Sequence, residues 1–418
     1  MKMVSQVTPV EDRSNLHIII RKYNEFDVKQ LAAFDKRVEM GPAGSESLTF
    51  DWLGDPLCRV RHLPAFHMLV AEIGGEIVGV IRGSVKEVVC SQSAACSDKA
   101  SIRKYARVGY LLGLRVCPRH RRIGIAFKLV QSMEEWCREQ DVEYVYMATE
   151  KDNEASLKLF TERLSYRHFR TPGIFIQPVH VHDRRISSRI QLTKIAPDHA
   201  VALYSATMST AEFFPKDIDA VLRNKLCEGT WIASFKESRL DEELNNFACE
   251  GGRGGKVVDA SWAKGASWAM LSVWRSNDLF QCEYKNASWF KKTGAALSRL
   301  VDFCLPGCRV PSVPNFFHPF GVQFMFGLHC EGDGGPELLH SLCWHAHNLA
   351  RKNDCKAVMS EVAPTDPAWN SIPHWKRLSS TEDIWCIKSL KEKVPSKPNF
   401  DWCHAPPQPV LFVDPREV

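Results

Sequence analysis

Nowhere in the 418 residues is there an apolar run long enough to cross a bilayer, which takes about 20 residues as a helix. The opening MKMVSQVTPVEDRSN also lacks the apolar segment of a secretory signal. Strong charge of either sign is missing: 54 basic against 49 acidic residues leave a formal charge of +5. That balance allows an anionic ligand but does not argue for nucleic acid, and the basic residues are not clustered with interleaved aromatics. Zinc spacing is absent too. Cys304 and Cys308 have no matching second pair, and His340, His345 and His347 do not share a helix face. The 15 cysteines are odd in number and often set in apolar runs, as at Cys343 and Cys386, so they read as reduced core thiols rather than a disulfide framework. These absences argue against a membrane-spanning protein, a stapled secreted domain, a metal site and a direct nucleic-acid binder. They leave a soluble globular chain with a cytosolic or nuclear address, and they leave its oligomeric state open, homo-oligomer included.

What is present centres on residues 110–140, YLLGLRVCPRHRRIGIAFKLVQSMEEWCREQ. An apolar run of strand length, 110–116, is stopped by Pro118 and passes through Arg119, His120, Arg121, Arg122, Ile123, Gly124, Ile125 and Ala126 into a helix-period pattern. Gly124 and Ala126 keep side chains away where a strand becomes a helix, so successive N–H groups can face an anion. Three arginines add fixed positive charge. The result is a phosphate cradle.

Around it the spacing predicts a strand at 16–21, a helix from a cap at Asp27 through Val38, a loop over 41–61, and a hairpin of strands 66–73 and 77–89 about Gly74-Gly75. A polar loop at 90–106 follows. Beyond the cradle come a strand at 142–148, a short helix capped by Asp152 or Asn153, and a final strand at 166–178 interrupted by Pro172 and Gly173. The second half predicts strands at 189–195, 229–235 and 268–276 and a Gly-rich loop at 250–255. Then Gly327-Leu328-His329, a helix through Ala350, a strand at 356–362 and a helical segment ending Lys376-Arg377-Leu378-Ser379 run parallel to Gly113-Leu114-Arg115 through Arg163-Leu164-Ser165 at a near-constant offset. Internal duplication is the favoured reading, two βαβ units that merely look alike its rival. Chain length also favours two domains, divided here as 1–183 and 184–418.

The spacing Arg121-x-x-Gly124-x-Ala126 resembles the acetyl-CoA signature of the GNAT N-acyltransferase superfamily, Gln/Arg-x-x-Gly-x-Gly/Ala. A companion signature also matches: Asn153, Ser156, Leu159, Phe160, and a close at Leu164-Ser165-Tyr166 where members commonly end Leu-Gly-Phe. Over its full length, with Arg170-Thr171-Pro172-Gly173 and Phe317-His318-Pro319-Phe320-Gly321, the chain is similar to the plant Hookless family of N-acetyltransferases. The resemblance implies an α/β fold of mixed sheets with tandem GNAT-like domains, and an acetyl-CoA-dependent N-acetyltransferase. Its acceptor would be an amine, a protein lysine such as a histone tail, and its setting the nucleus, in plant growth and hormone responses. It also implies that the strand edge at Leu114 and Val116 holds pantetheine, that the N–H groups from Arg122 through Ile123, Gly124 and Ile125 to Ala126 hold pyrophosphate with Arg119 and Arg121 beside them, and that Asn153 and Phe160 belong to the same cofactor site.

Two features depart from the family's commonest pattern. Phe160 stands where many members carry a tyrosine acid and has no proton to give, and the 110–116 strand has no Asp or Glu base. Glu72, Glu87, Asp98 and His120 are candidate substitutes. In the second half Glu331, Asp333 and Glu337 replace the arginines and Pro336 removes an N–H, so that half is expected to be a degenerate partner. Glu361, at the end of an otherwise apolar strand, reads either as a strand-end salt bridge or as a catalytic carboxylate facing a cationic amine across the domain junction. The other class of function left open is a catalytically weak or silent CoA-binding scaffold. The phenylalanines at 316, 317, 320, 324 and 326 read as core or domain interface.

Overall fold

A computed structural model describes residues 17–38, 47–90, 105–236, 265–305, 312–380, 383–391 and 401–418. The loops expected at 250–255 and over most of 90–106 lie outside them. In chain order the first half supplies β1 (Ile19–Lys22), α1 (Val28–Arg37), β2 (Ser47–Asp51), β3 (Ala65–Ile73), β4 (Glu76–Val89), β5 (Tyr105–Val116), α2 (Ile125–Glu139), β6 (Tyr144–Glu150), α3 (Glu154–Lys158), β7 (Arg167–Arg170) and β8 (Gly173–Pro178). The second supplies β9 (Ile190–Ile195), α4 (Pro197–Thr207), α5 (Ile218–Leu222), β10 (Cys227–Phe235), β11 (Trp268–Arg275), β12 (Gln281–Lys285), α6 (Trp289–Cys304), β13 (Gly321–Glu331), α7 (Gly335–Lys352), β14 (Cys355–Val362) and β15 (Asp383–Ser389).

Two mixed sheets result. The first has seven strands in the order β1-β3-β4-β5-β6-β15-β7, the second six in the order β8-β14-β13-β11-β10-β9. Among the described strands only the β5–β6 and β13–β14 pairs are parallel, each joined by its crossover helix, α2 or α7. Strand β4 is buried at nearly every position because it is covered on both faces. Leu129, Val130, Met133 and Cys137 of α2 close one side of the first sheet. Helix α7 does the same for the second with Leu338, Leu339, Leu342 and Ala346. A third cluster joins the remaining faces, with Val108, Tyr146 and Trp385 of the first sheet and Trp274, Phe324 and Phe326 of the second. The molecule is thus layered helix, sheet, sheet, helix; of the phenylalanines read as core, Phe316, Phe320, Phe324 and Phe326 belong to its middle, while Phe317 packs edge-on to Tyr284 instead.

Each sheet borrows a strand. β15, from near the end of the chain, lies between β6 and β7 in the first sheet. β8, from the first half, pairs antiparallel with β14 in the second, where Ile174 is also bridged to Ser380. The stretch at 166–178 is therefore two strands in two sheets rather than one interrupted strand. Pro172 has no N–H to continue a ladder, and there the chain crosses over.

The crossing is pinned at Arg170. Its guanidinium makes a two-pronged ion pair with Glu212, Nε and Nη2 donating at 2.6 and 2.7 Å, and both side chains are buried. The Trp402 indole donates to the same carboxylate at 2.7 Å, and Arg170 Nη2 reaches the carbonyls of Ala405 and Pro406.

Other differences from the sequence reading are local. The expected loop at 41–61 contains β2, whose partner is β12, far along the chain. The expected helix ending at Ser379 is a single 3-10 turn at Trp369–Ser371 followed by a tight turn, because Pro364, Pro367 and Pro373 break any longer helix. Asp27 is the N-cap residue of α1, but its side chain makes no capping bond. It accepts from Arg21 and from the Asn24 N–H instead.

Glu212→Ala leaves a buried guanidinium without its partner, and it is expected to lower stability by about 3–5 kcal/mol, read as the denaturant midpoint at constant slope.

Candidate active site

β5 and β6 are hydrogen-bonded from Val108↔Tyr144 to Leu111↔Met147 and no further. β5 nevertheless stays on β4 as far as Val116↔Gly79, and β6 stays on β15 as far as Glu150↔Asp383. Past Leu111 the two strands thus keep their outer partners and lose each other, and a gap opens in the middle of the sheet with Leu114 and Val116 along one side. The cause is a bulge. Gly113 adopts a left-handed φ of 62° opposite a register shift between Val80 and Arg82. The left-handed φ favours glycine there, and a Cβ would also press on the Arg82 guanidinium, 2.7 Å away at Nη1. The second sheet repeats the device. β13 pairs with β14 only to Phe324↔Met359, and Gly327 has a φ of 60° beside a register shift between Met270 and Ser272. This match at Gly113 and Gly327 supports duplication over chance likeness.

At the end of β5 the chain makes a 3-10 turn, Pro118–His120, then enters α2 through Arg122 and Gly124, both left-handed with φ of 68° and 88°. Gly124 is the N-cap residue and no side chain caps the helix, so the first-turn N–H groups have neither an intrahelical acceptor nor a cap. Ile125 is buried and Ile123 and Ala126 half-buried, which anchors the turn. Arg119, Arg121 and Arg122 are exposed. Arg121 Nε donates to the Val116 carbonyl at 3.2 Å, which ties the arginine to the strand that borders the gap. Open donors, a helix dipole and fixed cations suit a pyrophosphate.

Asn153 caps α3 by accepting the Ser156 N–H at 3.2 Å. Phe160 is a core residue, edge-on to Tyr166 at 4.9 Å. Ser165, at the position where resembling proteins carry glycine, has a left-handed φ of 62°. At the start of α7 the equivalent turn is closed: Ser267 Oγ accepts the Gly334 N–H at 3.0 Å, Pro336 sits in the first turn and Glu337 faces the helix start. The Tyr204 hydroxyl is bonded to Ser272 and donates to the Gly327 carbonyl at the bulge.

Glu361 stands where the two sheets meet. It lies on β14 opposite Ile174 of β8, and Oε1 accepts the indole N–H of Trp385, on the borrowed strand β15, at 3.1 Å. Trp385 stacks on Tyr146 at 5.4 Å, and Tyr146 stacks on Tyr110, its register partner, at 4.8 Å. A continuous column therefore runs from the apex of the gap to Glu361. The strand-end salt bridge is not formed, since among the described residues no cation pairs with Glu361. Burial pushes its carboxyl up to about 8, with the neighbouring Asp383 and Glu417 adding to the rise and the Trp385 N–H opposing it. Burial also raises Asp383 to about 6. Glu417 is raised by burial against the pull of Lys86, which it contacts at 2.7 Å, and it accepts the Tyr146 hydroxyl at 2.7 Å. The signal that finds Trp385 and Asp383 is tertiary, because their strand joins a sheet begun more than half a chain earlier.

Of the other substitutes for a base, the two glutamates are engaged elsewhere. Glu72 is bonded to Arg21 at 2.8 Å and Glu87 to Lys216 at the surface, His120 lies in the 3-10 turn, and Asp98 is outside the described residues.

The raised carboxyl of Glu361 has a consequence for stability. The unfolded chain loses this proton near pH 4.5 while the fold keeps it to about 8, so the stabilising contribution is complete below 4.5 and is lost as pH rises through 8. Glu361→Gln is expected to melt about 2 °C or more above the wild type at pH 8.5, and at the wild-type temperature near pH 4, in paired thermal scans.

Comparison with known proteins agrees with this geometry. Residues 29–166 match the profile of the Acetyltransferase (GNAT) family. The chain is 44% identical over 415 residues to "Probable N-acetyltransferase HLS1" of Arabidopsis thaliana, covering 96% of this chain and 99% of the relative. It is 43% identical to "Probable N-acetyltransferase HLS1-like" of the same plant, covering 95% and 98%. The fold is like that of Saccharomyces cerevisiae N-myristoyltransferase with bound myristoyl-CoA, at a TM-score of 0.52 and 8% identity over 93% of this chain and 82% of that one. The gap beside an uncapped helix and the near-complete match to these relatives lead to one assignment: the chain belongs to the GNAT acetyltransferase family and is an N-acetyltransferase of the HLS1 group.

Proposed function

We propose that the protein transfers the acetyl group of acetyl-CoA to the side-chain amine of a protein lysine, with a histone tail as acceptor, in the nucleus and in the growth and hormone responses that its Hookless resemblance implies. The carrying observation is the parting of β5 from β6 past Leu111, directly ahead of an uncapped, arginine-lined helix start. On this reading the first half, 1–183, holds acetyl-CoA. The free edge at Leu114 and Val116 takes the pantetheine amides as an added strand. The N–H groups from Arg122 to Ala126, with Arg119 and Arg121, take the pyrophosphate, and Asn153 keeps the α3 turn in place beside the gap. Phe160 contributes packing. The second half, 184–418, is the degenerate partner that brings Glu361 to the junction.

The chemistry then needs a neutral amine. Glu361, as carboxylate, accepts one proton from the acceptor's ammonium group. The freed nitrogen lone pair attacks the acetyl carbon, the C–N bond forms and the C–S bond breaks. The nitrogen's second proton ends on the departing thiolate sulfur. Holding the two reactants in line supplies much of the rate, on the order of several kcal/mol of barrier.

Two measurements test this. Arg121→Glu or Gly124→Glu should abolish acetyl-CoA binding in calorimetry while leaving the melting temperature within a few degrees of wild type, and unchanged affinity in both would sink the cofactor site. Turnover on a lysine peptide should rise with pH through about 8 as Glu361 ionises, and Glu361→Gln should lower it by about 10²–10⁴-fold and flatten the profile. Tight acetyl-CoA binding with no thiol released against a lysine-peptide library would favour a CoA-binding scaffold instead.

A further inference from the structure

We propose that Asp383, carried into the first sheet on the borrowed strand β15, works with Glu361 as a paired-carboxylate site that selects the acceptor by its primary ammonium group. The inference rests on the acetyltransferase reading above and names how the acceptor is recognised.

Position is the first argument. Asp383 is the register partner of Glu150, the last residue of β6, so it stands beyond Met147, on the stretch of β6 that has already parted from β5. Glu361 comes from the other sheet and is tied to Trp385, two residues along the same strand as Asp383. The strand exchange therefore sets a carboxylate from each sheet beside the column that leads from the gap.

The second argument is the missing counter-charge. Asp383 is 8% exposed and, among the described residues, has no ion pair. Glu361 has only an indole N–H. The groups facing them are Glu150 and Tyr146 on β6, Tyr110 on β5, Trp385 on β15 and Glu417 near the end of the chain. Glu417 Oε1 is buried without a hydrogen-bond partner. Of the cations close by, Lys86 lies between Asp414 and Glu417, at 3.4 and 2.7 Å, while Arg59 stands over the Trp52 ring and donates to the Glu417 backbone carbonyl at 2.5 Å. Asp383 takes hydrogen bonds from the Trp385 indole and the Ile384 N–H, but a buried carboxylate normally comes with a cation as well. A primary ammonium offers three N–H donors and one positive charge on a narrow stem, so it meets two carboxylates where a neutral hydroxyl or amide does not. Its arrival favours the ionised form of both acids, whose carboxyl groups burial otherwise holds protonated toward neutral pH.

The test titrates Nα-acetyl-lysine methylamide into the full-length protein saturated with CoA, with the norleucine analogue as control. CoA binding is measured first in the same cell. The wild type should bind the lysine probe with proton release near pH 7, seen as a heat that varies with the ionisation enthalpy of the buffer, and should not bind the norleucine analogue. Asp383→Asn should weaken lysine binding by about tenfold or more and release fewer protons at unchanged CoA affinity, and Asp383→Glu should recover part of the loss. Equal binding of the lysine probe by wild type and Asp383→Asn would overturn the proposal. So would equal binding of lysine and norleucine, or no lysine binding at millimolar probe. If CoA itself does not bind, the cofactor reading fails and the acceptor site falls with it, whereas CoA binding with a silent Asp383→Asn removes only Asp383.

Discussion

A β-strand can be hydrogen-bonded on two sides, and neither half of this chain fills both sides of its own parallel pair. β6 needs β15, and β14 needs β8. The exchange follows from a proline that ends one ladder at position 172 and from an arginine that holds the crossing in place. Because the borrowed strands lie beside the gaps, the exchange also decides what stands at the junction. Trp385 could not reach Glu361 if each half completed its own sheet. The central core follows as well, since faces that trade strands must pack on each other.

The two halves show one backbone device under opposite electrostatics. Both open a gap by placing a left-handed glycine at a bulge in the strand ahead of the crossover helix, Gly113 in one and Gly327 in the other. After that they diverge. In the first half the helix start is uncapped and faced by arginines. In the second, Ser267 accepts an N–H of the turn, a proline removes another donor and carboxylates stand where the arginines would be. Like charge at such distances is repulsive by about a kcal/mol even in water and by more where solvent is excluded. Backbone geometry alone therefore does not define a phosphate site, and the side chains at the helix start decide it.

Much of the first half was legible in the sequence because its signals are local. Gly74 and Gly75 mark a hairpin turn and both are left-handed. Gly124 and the arginines mark a strand that becomes a helix, and the run of apolar residues in β4 marks a strand covered on both faces. What was illegible depends on partners far along the chain. Pro172 shows that a ladder stops but not which sheet the next residues join. β2 is five residues whose partner among the described strands is the distant β12, so nothing nearby announces it. Glu361 could be singled out as an acid in an apolar strand, yet the choice between an ion pair and a lone carboxylate turns on Trp385 and Asp383, and the sheet that holds those two begins near Ile19. The helix expected before Ser379 failed for a local reason that was visible, three prolines outweighed by the analogy to α3.

The buried charges of the junction separate into two kinds, and the separation carries the functional reading. Arg170 with Glu212, and Arg416 with Asp414 and Asp217, are closed networks in which every carboxylate meets a guanidinium. Burial would raise Asp414, but Arg416 and Lys86 hold it well below the usual carboxylate range. Such groups gain from being charged and have nothing to offer a ligand. Glu361, half-buried, and Asp383, buried, are the reverse: raised rather than lowered, and without a cation among the described residues. A fold that supplies guanidinium partners to Glu212, Asp414 and Asp217 and none to Glu361 and Asp383, beside the column that leads from the gap, keeps a destabilising arrangement there. Strain of that kind persists where the missing partner arrives from outside, and in an N-acetyltransferase the group that arrives bearing positive charge is the acceptor amine.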